Sequence, residues 1–520
     1  MYDTGIVHLV GAGPGDPGLL TRRGADLLAR ADAVVFEPPA PVEMLELCGP
    51  DCLRIEAGRA ASGAPDPKPV HERLIELAEE GKTVVRLHRE DPFVFGQGVE
   101  EAKALSRAGI PFEVVPGVSL GLAAPAYAGI PLVHQGGTSR FTVVGEEYGA
   151  LPDFRSLARE EGAIVFHIAA ERLGEMAEGL LAGGMDPGTW TVIIDRGGLP
   201  AQRVIESALE KAPEAAELGG LSGPIVAVVG EAGRLRWELN WFEGRPLHGR
   251  RILVTRPREQ AGELADRLEE AGAEVLIVPT IRIAPPEDAG PLDEAIGRLG
   301  DYDWAMFTSA NGVRFFADRL RARGLDARAF AAGCRILAVG PGTARALEER
   351  LRLRADLVPE RYVAEGAIEA LEGEDLAGKR VLIPRAAEAR ETLPLALRER
   401  GAEVDAVPAY RSLPGEAEGA ARLRRGLAEG EIDMVTFTSG STVRNFVEMV
   451  GAERLPEAMG RAAVASIGPV TSEAVREAGL PLHVEAHEST VRALAREIAD
   501  FYRFHPAMSW GSADPLAGDH

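Results

Sequence analysis

Cysteine is scarce in this chain, with three residues, Cys48, Cys52 and Cys334, among 520. Three thiols cannot build a disulfide framework, and the Cys48-x3-Cys52 spacing has no second pair or histidine cluster to complete a metal site, so all three are read as reduced and no metal is expected. Aromatic residues are also few, at 5%. Long apolar runs are absent: nothing approaches the roughly 18 residues of a membrane helix. The opening Met1-Tyr2-Asp3-Thr4-Gly5 carries no basic targeting segment, so a soluble, cytoplasmic protein is expected. Positive charge is short as well, with 57 Lys and Arg against 80 Asp and Glu and a net charge of −23. A field of that sign repels polyanions, which argues against nucleic acid or an anionic membrane as partner, yet a local basic pocket can still take a small anion.

What is present is globular. Apolar residues make up 46% and charged residues 26%, and the length exceeds what one core ordinarily serves. Short apolar runs alternate with amphipathic stretches: Ile6–Val10, Leu19–Arg30, Ala33–Phe36, His71–Glu80, Thr83–Leu87. Buried strands of an α/β protein read as continuous apolar runs of this kind, so the fold class is α/β. Composition shifts at Trp241–Leu247, after which Arg251–Val254 begins a new strand and Gln260–Ala271 a helix, placing a boundary near 245. From about 505 the periodicity is lost, and residues 505–520 are expected to be a disordered tail.

Beyond the boundary the sequence repeats itself. Arg251-Ile252-Leu253-Val254-Thr255-Arg256 is echoed by Arg380-Val381-Leu382-Ile383-Pro384-Arg385, and Gly272-Ala273-Glu274-Val275 by Gly401-Ala402-Glu403-Val404. Phe307-Thr308-Ser309 returns as Phe437-Thr438-Ser439, and Gly340-Pro341-Gly342-Thr343 as Gly468-Pro469-Val470-Thr471. Four echoes in one order at one nearly constant offset imply two similarly folded α/β units.

In each unit these signatures lie where a strand meets a helix. A Ser or Thr there caps the helix, and the free N–H groups and positive dipole end also suit an anion. Open α/β sheets bind ligands at the carboxyl ends of their strands, so Ser309, Thr343, Ser439, Ser441 and Thr471 are candidate contacts for a ligand with several carboxylates, or simply caps. Arg256 and Arg385, ending equivalent strands, are candidate clamps for such a ligand.

Residues 248–503 resemble uroporphyrinogen-III synthase through Thr255-Arg256-Pro257, the paired Phe-Thr-Ser turns, Val407-Pro408-Ala409-Tyr410-Arg411, Ile467-Gly468-Pro469-Val470-Thr471 and Thr490-Val491. The resemblance implies two flavodoxin-like lobes joined by a two-stranded connection, with 248–283 and 411–504 in one and 286–407 in the other. It also implies cyclisation of hydroxymethylbilane, which carries eight carboxylates, with inversion of its last ring and no cofactor. Tyr410 matches the family's interdomain tyrosine and is the candidate to hydrogen-bond or protonate the departing hydroxyl; a tyrosine merely packed beside the hinge is the alternative.

The N-terminal half carries Gly11-Ala12-Gly13-Pro14-Gly15-Asp16-Pro17 after its first strand and before a helix expected from Leu19. This is G-x-G-x-G and not the dinucleotide G-x-G-x-x-G. With Asp91–Gly96, Val115–Ser119, Ala124–Leu132 and Asp195–Gly198 it resembles uroporphyrinogen-III C-methyltransferase over about 5–242. The resemblance implies a two-domain, typically dimeric unit, here 1–244, that holds S-adenosylmethionine and methylates uroporphyrinogen III to precorrin-2. Gly11, Gly13, Pro14, Gly15, Asp91, Val94, Ser119, His167 and Gly197 are the matching cofactor positions.

Departures fall at the family's functional positions. Its Tyr-Asp-Arg-Leu-Val is Phe36-Glu37-Pro38-Pro39-Ala40, its Lys is Arg59, its Gly-Gly-Asp-Pro is Arg89-Glu90-Asp91-Pro92, the Arg of Phe-Gly-Arg-Gly is Gln97, and a later Met is His167. Side chains at 89 and 90 occupy space that glycines leave open. A synthase fused to a degenerate transferase is therefore expected; a bifunctional enzyme running from hydroxymethylbilane to precorrin-2, and a non-enzymatic sensor of tetrapyrrole carboxylates, are the alternatives.

Overall fold

The computed structural model describes residues 4–38, 42–58, 68–137, 139–145, 152–221, 223–256, 258–415 and 417–505. Arg59, Pro39, Ala40, Pro257 and the tail from 506 onward lie outside the described residues. Contacts divide the chain into two units. The first runs to Arg250 and includes Leu268–Glu274 and the stretch from Tyr502; the second holds Arg251–Arg267 and Val275–Phe501. Leu268–Glu274 joins the first unit because Leu247 N donates to Ala271 O and Glu274 N to Arg250 O, each within 2.9 Å. The Arg250 guanidinium lies 4.5 Å over the Tyr502 ring, which accounts for the last stretch.

The first unit contains two sheets. Strands β1 (Ile6–Gly11), β2 (Ala33–Phe36), β3 (Leu53–Glu56), β4 (Thr83–His88) and β5 (Phe112–Val115) form a parallel sheet in the order β3-β2-β4-β1-β5. The helix expected from Leu19 starts at Arg22, because Thr21 is extended and its hydroxyl accepts from Gly24 N; Pro17–Leu19 is a separate 3-10 turn capped by Asp16. The second sheet takes β6 (Phe141–Gly145), β7 (Ala163–Ala169), β8 (Trp190–Asp195), β9 (Arg203–Ala208) and β10 (Pro224–Val229) in the order β6-β7-β10-β8-β9. This sheet is mixed: β10 runs antiparallel to both neighbours and β8 antiparallel to β9.

The second unit also has two sheets. β11 (Arg251–Val254), β12 (Glu274–Ile277), β18 (Met434–Phe437), β19 (Ala463–Ser466) and β20 (Val484–Glu485) lie in the order β12-β11-β18-β19-β20. β13 (Ile281–Ala284), β14 (Trp304–Phe307), β15 (Arg335–Ala338), β16 (Arg380–Ala386) and β17 (Glu403–Pro414) lie in the order β13-β17-β16-β14-β15. The twelve residues of β17 do two jobs. Glu403–Tyr410 pair in parallel with β16, and Arg411–Pro414 pair antiparallel with β13, forming a two-stranded connection.

Period-two alternation sends the residues of each strand to two faces. On β14, Ala305 and Phe307 join the core with Phe316 and Leu320 of helix Ala310–Ala322, while Trp304 and Met306 join the core with Leu371 and Leu397. Burial of such side chains is worth about 1.5–3 kcal/mol each, and it fixes the strands whose carboxyl ends carry the candidate residues.

Candidate active site

The carboxyl edge of the β14–β15–β16 sheet is built by helix starts. Ser309 is extended, and its Oγ accepts from Gly312 N at 3.0 Å, opening helix Ala310–Ala322. Gly312 is required there, since a Cβ would lie 2.9 Å from Pro384 O. The same Oγ is 3.0 Å from Tyr410 Oη, so cap and candidate acid share a hydrogen bond. Tyr410 is 8% exposed and its ring stacks on Phe315 with centroids 5.9 Å apart. Burial pushes the phenol above its ordinary pKa and outweighs the bond to Ser309, which acts the other way, so the group is a proton donor at neutral pH.

Other candidates on this edge are placed differently. Thr343 is buried in the first turn of helix Pro341–Leu351, whose cap Gly340 offers no side chain. Arg385 is held by its own turn: it ion-pairs with Glu391 and donates to Arg390 O at 3.2 Å. A guanidinium so engaged is not a free clamp.

On the other lobe, Thr255 Oγ1 donates to Thr436 O at 2.8 Å and Thr436 Oγ1 to Leu253 O at 3.0 Å, pinning β11 to β18. Arg256 follows, half-buried, with a 3.5 Å bond to Gln260 as its described hydrogen bond; burial lowers its pKa, partly offset by Glu263. Ser439 caps helix Gly440–Val450 by accepting from Thr442 N at 3.3 Å, and its Oγ is 2.9 Å from that of exposed Ser441. Thr471 is buried in the first turn of helix Pro469–Glu477. Among the candidate residues hydroxyls thus pair as Ser309 with Tyr410 and Ser439 with Ser441.

In the first unit the glycine framework serves close backbone crossing. A Cβ at Gly11 would fall 2.3 Å from Glu90 O and 2.5 Å from Gly117 N. Gly13 and Gly15 take φ of 84° and 124° around Pro14, and Gly15 abuts Leu199. Asp91 is a brace: it accepts from Phe93 N at 2.7 Å and Gly117 N at 3.0 Å. Glu90 Oε2 accepts from Leu120 N at 2.8 Å, taking the start of helix Leu120–Tyr127 that Ser119 leaves without a side-chain cap. Its other oxygen is 3.7 Å from His167 Nε2 on β7. Phe95, at φ 56°, lays its ring on Gly145, and Gly197 packs on Ala124. Val94, Arg89 and Gln97 are exposed.

Glu37 is partnered by Arg86 of β4, which is fully buried and also donates to Glu101 Oε1 at 2.9 Å. His88 Nε2 lies 3.1 Å from the other Glu101 oxygen. Burial raises the Glu101 carboxyl, but His88 and the Arg86 charge outweigh it and hold it below the usual carboxylate range. Sequence reasoning missed this group; the available signal was a charge at 86 inside the apolar run Val84–Leu87.

S-adenosylmethionine carries an amino-acid carboxylate and a sulfonium, and the matching cofactor positions are surrounded by this chain's own side chains. Leu120 N is already satisfied by Glu90, and Phe95 and Leu199 fill the approaches to Gly145 and Gly15.

Two family models match the chain: tetrapyrrole (corrin/porphyrin) methylases over residues 7–213, and uroporphyrinogen-III synthase HemD over residues 262–496. The porphyrin biosynthesis protein HemD of Ruminiclostridium josui is 35% identical over 505 residues, covering 95% of this chain and 98% of that one. A uroporphyrinogen-III C-methyltransferase of Bacillus subtilis is 34% identical over 62% of this chain and 68% of its own. Among solved structures, uroporphyrin-III C-methyltransferase of Thermus thermophilus with S-adenyl homocysteine is 34% identical, covering 44% of this chain and all of that one at a TM-score of 0.38. A mutant uroporphyrinogen III synthase of the same organism is 24% identical, covering 49% of this chain and 99% of that one, also at 0.38. No helix among the described residues is long and apolar enough to cross a membrane.

Proposed function

The chain belongs to the family of the HemD porphyrin biosynthesis proteins, with a tetrapyrrole methylase unit ahead of a uroporphyrinogen-III synthase unit, and from that premise we propose that it closes hydroxymethylbilane to uroporphyrinogen III. It works in tetrapyrrole biosynthesis, and its second unit is the synthase. The observation that carries the mechanism is the Ser309–Tyr410 hydroxyl pair at the carboxyl edge of the sheet.

The protonated Tyr410 phenol donates toward the terminal hydroxyl of the bilane, which leaves as water, and the resulting azafulvene cation is delocalised over the pyrrole. Attack by the substituted carbon of the last ring gives a spiro intermediate, which fragments and recloses with that ring inverted, and the proton released on rearomatisation returns to the Tyr410 phenolate. The cation is stabilised by its own ring, so the protein's part is to fold the chain and assist departure. Helix starts at Ser309, Gly340, Ser439 and Gly468 turn N–H groups toward substrate carboxylates, and Arg256 supplies a cation. Purified protein incubated with hydroxymethylbilane is expected to yield the type III isomer in excess over the spontaneous type I product; type I alone would refute the reading.

For the first unit, the Glu90 carboxylate on Leu120 N supports a module that does not transfer methyl groups. Labelled S-adenosylmethionine with uroporphyrinogen III is expected to give no methylated product, and robust turnover would establish the bifunctional enzyme instead.

A further inference from the structure

The internal duplication extends past the echoes visible in the sequence. Leu357 bridges in parallel to Leu337 of β15, with Ala338 N donating to Leu357 O at 3.0 Å, so this stretch runs as an added edge beside β15. In the other lobe β20 does the same to β19, with Val484 opposite Ala465. Five residues beyond Leu357 the chain reaches Tyr362, and five beyond Val484 it reaches Ser489. Each then covers the glycine that opens the next helix: a Cβ built on Gly340 would be 3.4 Å from Tyr362 Cβ, and one on Gly468 would be 2.4 Å from Ser489 Oγ.

The two covers have opposite chemistry. Ser489 is small and polar. Tyr362 is a 61% exposed aromatic, flanked by exposed Val358 and Val363, and its hydroxyl has no described partner. An aromatic ring left in water at one of two equivalent positions needs a reason beyond packing, because the serine covers the same turn without it. Its neighbourhood supplies one. β15 is hydrogen-bonded to β14, with Phe307 opposite Ala338, so Gly340 and Ser309 lie at the ends of adjacent strands. Tyr362, Gly340, Ser309 and Tyr410 therefore share one edge. Arg361 packs closely on the helix that follows, since its O lies 2.1 Å from where a Cβ on Gly366 would stand.

We infer that Tyr362 is a substrate-positioning residue of the synthase unit whose ring stacks on a pyrrole of the bilane, making the two lobes unequal in what they hold. This rests on the synthase reading. Offset or edge-on stacking of aromatic rings is worth a factor of about 2–13 in binding.

The test uses the full-length protein and three forms. Wild type is assayed first, and failure to form type III product overturns the synthase reading together with this one. With wild type active, Tyr362→Ala is expected to raise KM for hydroxymethylbilane roughly 3- to 10-fold with kcat little changed, to release a larger share of type I isomer, and to weaken binding of uroporphyrin III by a similar factor. Tyr362→Phe is expected to match wild type in all three. Wild-type KM and porphyrin affinity in Tyr362→Ala, or equal damage in Tyr362→Phe, overturns the stacking role while leaving the synthase reading intact. Because the side chain is exposed, both variants are expected to keep the wild-type unfolding midpoint, and a fall of Tyr362→Ala in midpoint and kcat without a change in porphyrin affinity overturns it too.

Discussion

Replacing Tyr410 with Phe removes one oxygen and nothing else, which makes the cost computable. The lost contact is a neutral hydrogen bond of 3.0 Å to Ser309 Oγ. Ser309 keeps its bond from Gly312 N, and the ring keeps Phe315, so neither the helix cap nor the core is opened. Net loss of one such bond is about 1 kcal/mol, a fall of roughly 2–4 °C in the unfolding midpoint of a unit this size. A donor aimed at a leaving group contributes about 100-fold or more to rate, far beyond a factor near five for 1 kcal/mol. Stopped-time assays of uroporphyrinogen III formation on Tyr410→Phe are thus expected to show kcat down about 100-fold with stability nearly unchanged. Ser309→Ala separates cap from chemistry: it costs about 1 kcal/mol of stability through the helix and removes the Tyr410 partner while leaving the phenol in place. Because the Tyr410 pKa is raised, its proton is lost only above the ordinary tyrosine range near 10, and activity is expected to show no Tyr410 limb from about pH 6 to 9. A kcat within twofold of wild type in Tyr410→Phe would remove the hydroxyl from the mechanism.

Arg256 and Arg385 end equivalent strands and are expected to part company under mutation. Arg256→Ala should leave stability within about 0.5 kcal/mol and raise KM for hydroxymethylbilane, whereas Arg385→Ala, which removes the bonds to Glu391 and Arg390 O and leaves Glu391 with Arg398 at 3.8 Å, should lower stability without a KM effect of that size; the reverse pattern would refute the assignment. Glu101→Gln should destabilise the first unit by about 3 kcal/mol in urea unfolding, because it leaves Glu37 as the one described carboxylate on a fully buried Arg86, and an unchanged midpoint would show the pair to be dispensable. Its depressed pKa gives the sign of the acid response: the stability it contributes is complete above the unfolded carboxyl value of about 4.3 and is lost as pH falls through the lower folded value, so the Gln variant should show a shallower acid limb than wild type.

Much of the scaffold was legible because buried parallel strands write themselves as unbroken apolar runs. Arg251–Val254, Trp304–Phe307 and Met434–Phe437 stand where the runs stop and start. The caps at Ser309 and Ser439 were legible because duplication printed them twice. The mixed order of the second sheet was not, since an antiparallel strand with both faces covered is as apolar as a parallel one. Nor were the partners of charged residues. Glu90 meets Leu120 N thirty positions away, and Arg86 meets Glu101 from strand to helix. Arg385 looked like a free clamp because an ion pair to Glu391 depends on how one turn bends.

The double duty of β17 has a mechanical outcome. Tyr410 is the last residue of the strand paired with β16, and the four that follow pair with β13, Ser412 N also donating to Glu388 Oε2 at 3.4 Å. The change of partner falls at Arg411, immediately after the phenol, whose hydrogen-bond partner Ser309 caps helix Ala310–Ala322 on the same lobe as β16. On the proposed mechanism, the residue that aids the departing oxygen is thereby held by the strand pairing of one lobe, and the connection to the other begins only after it.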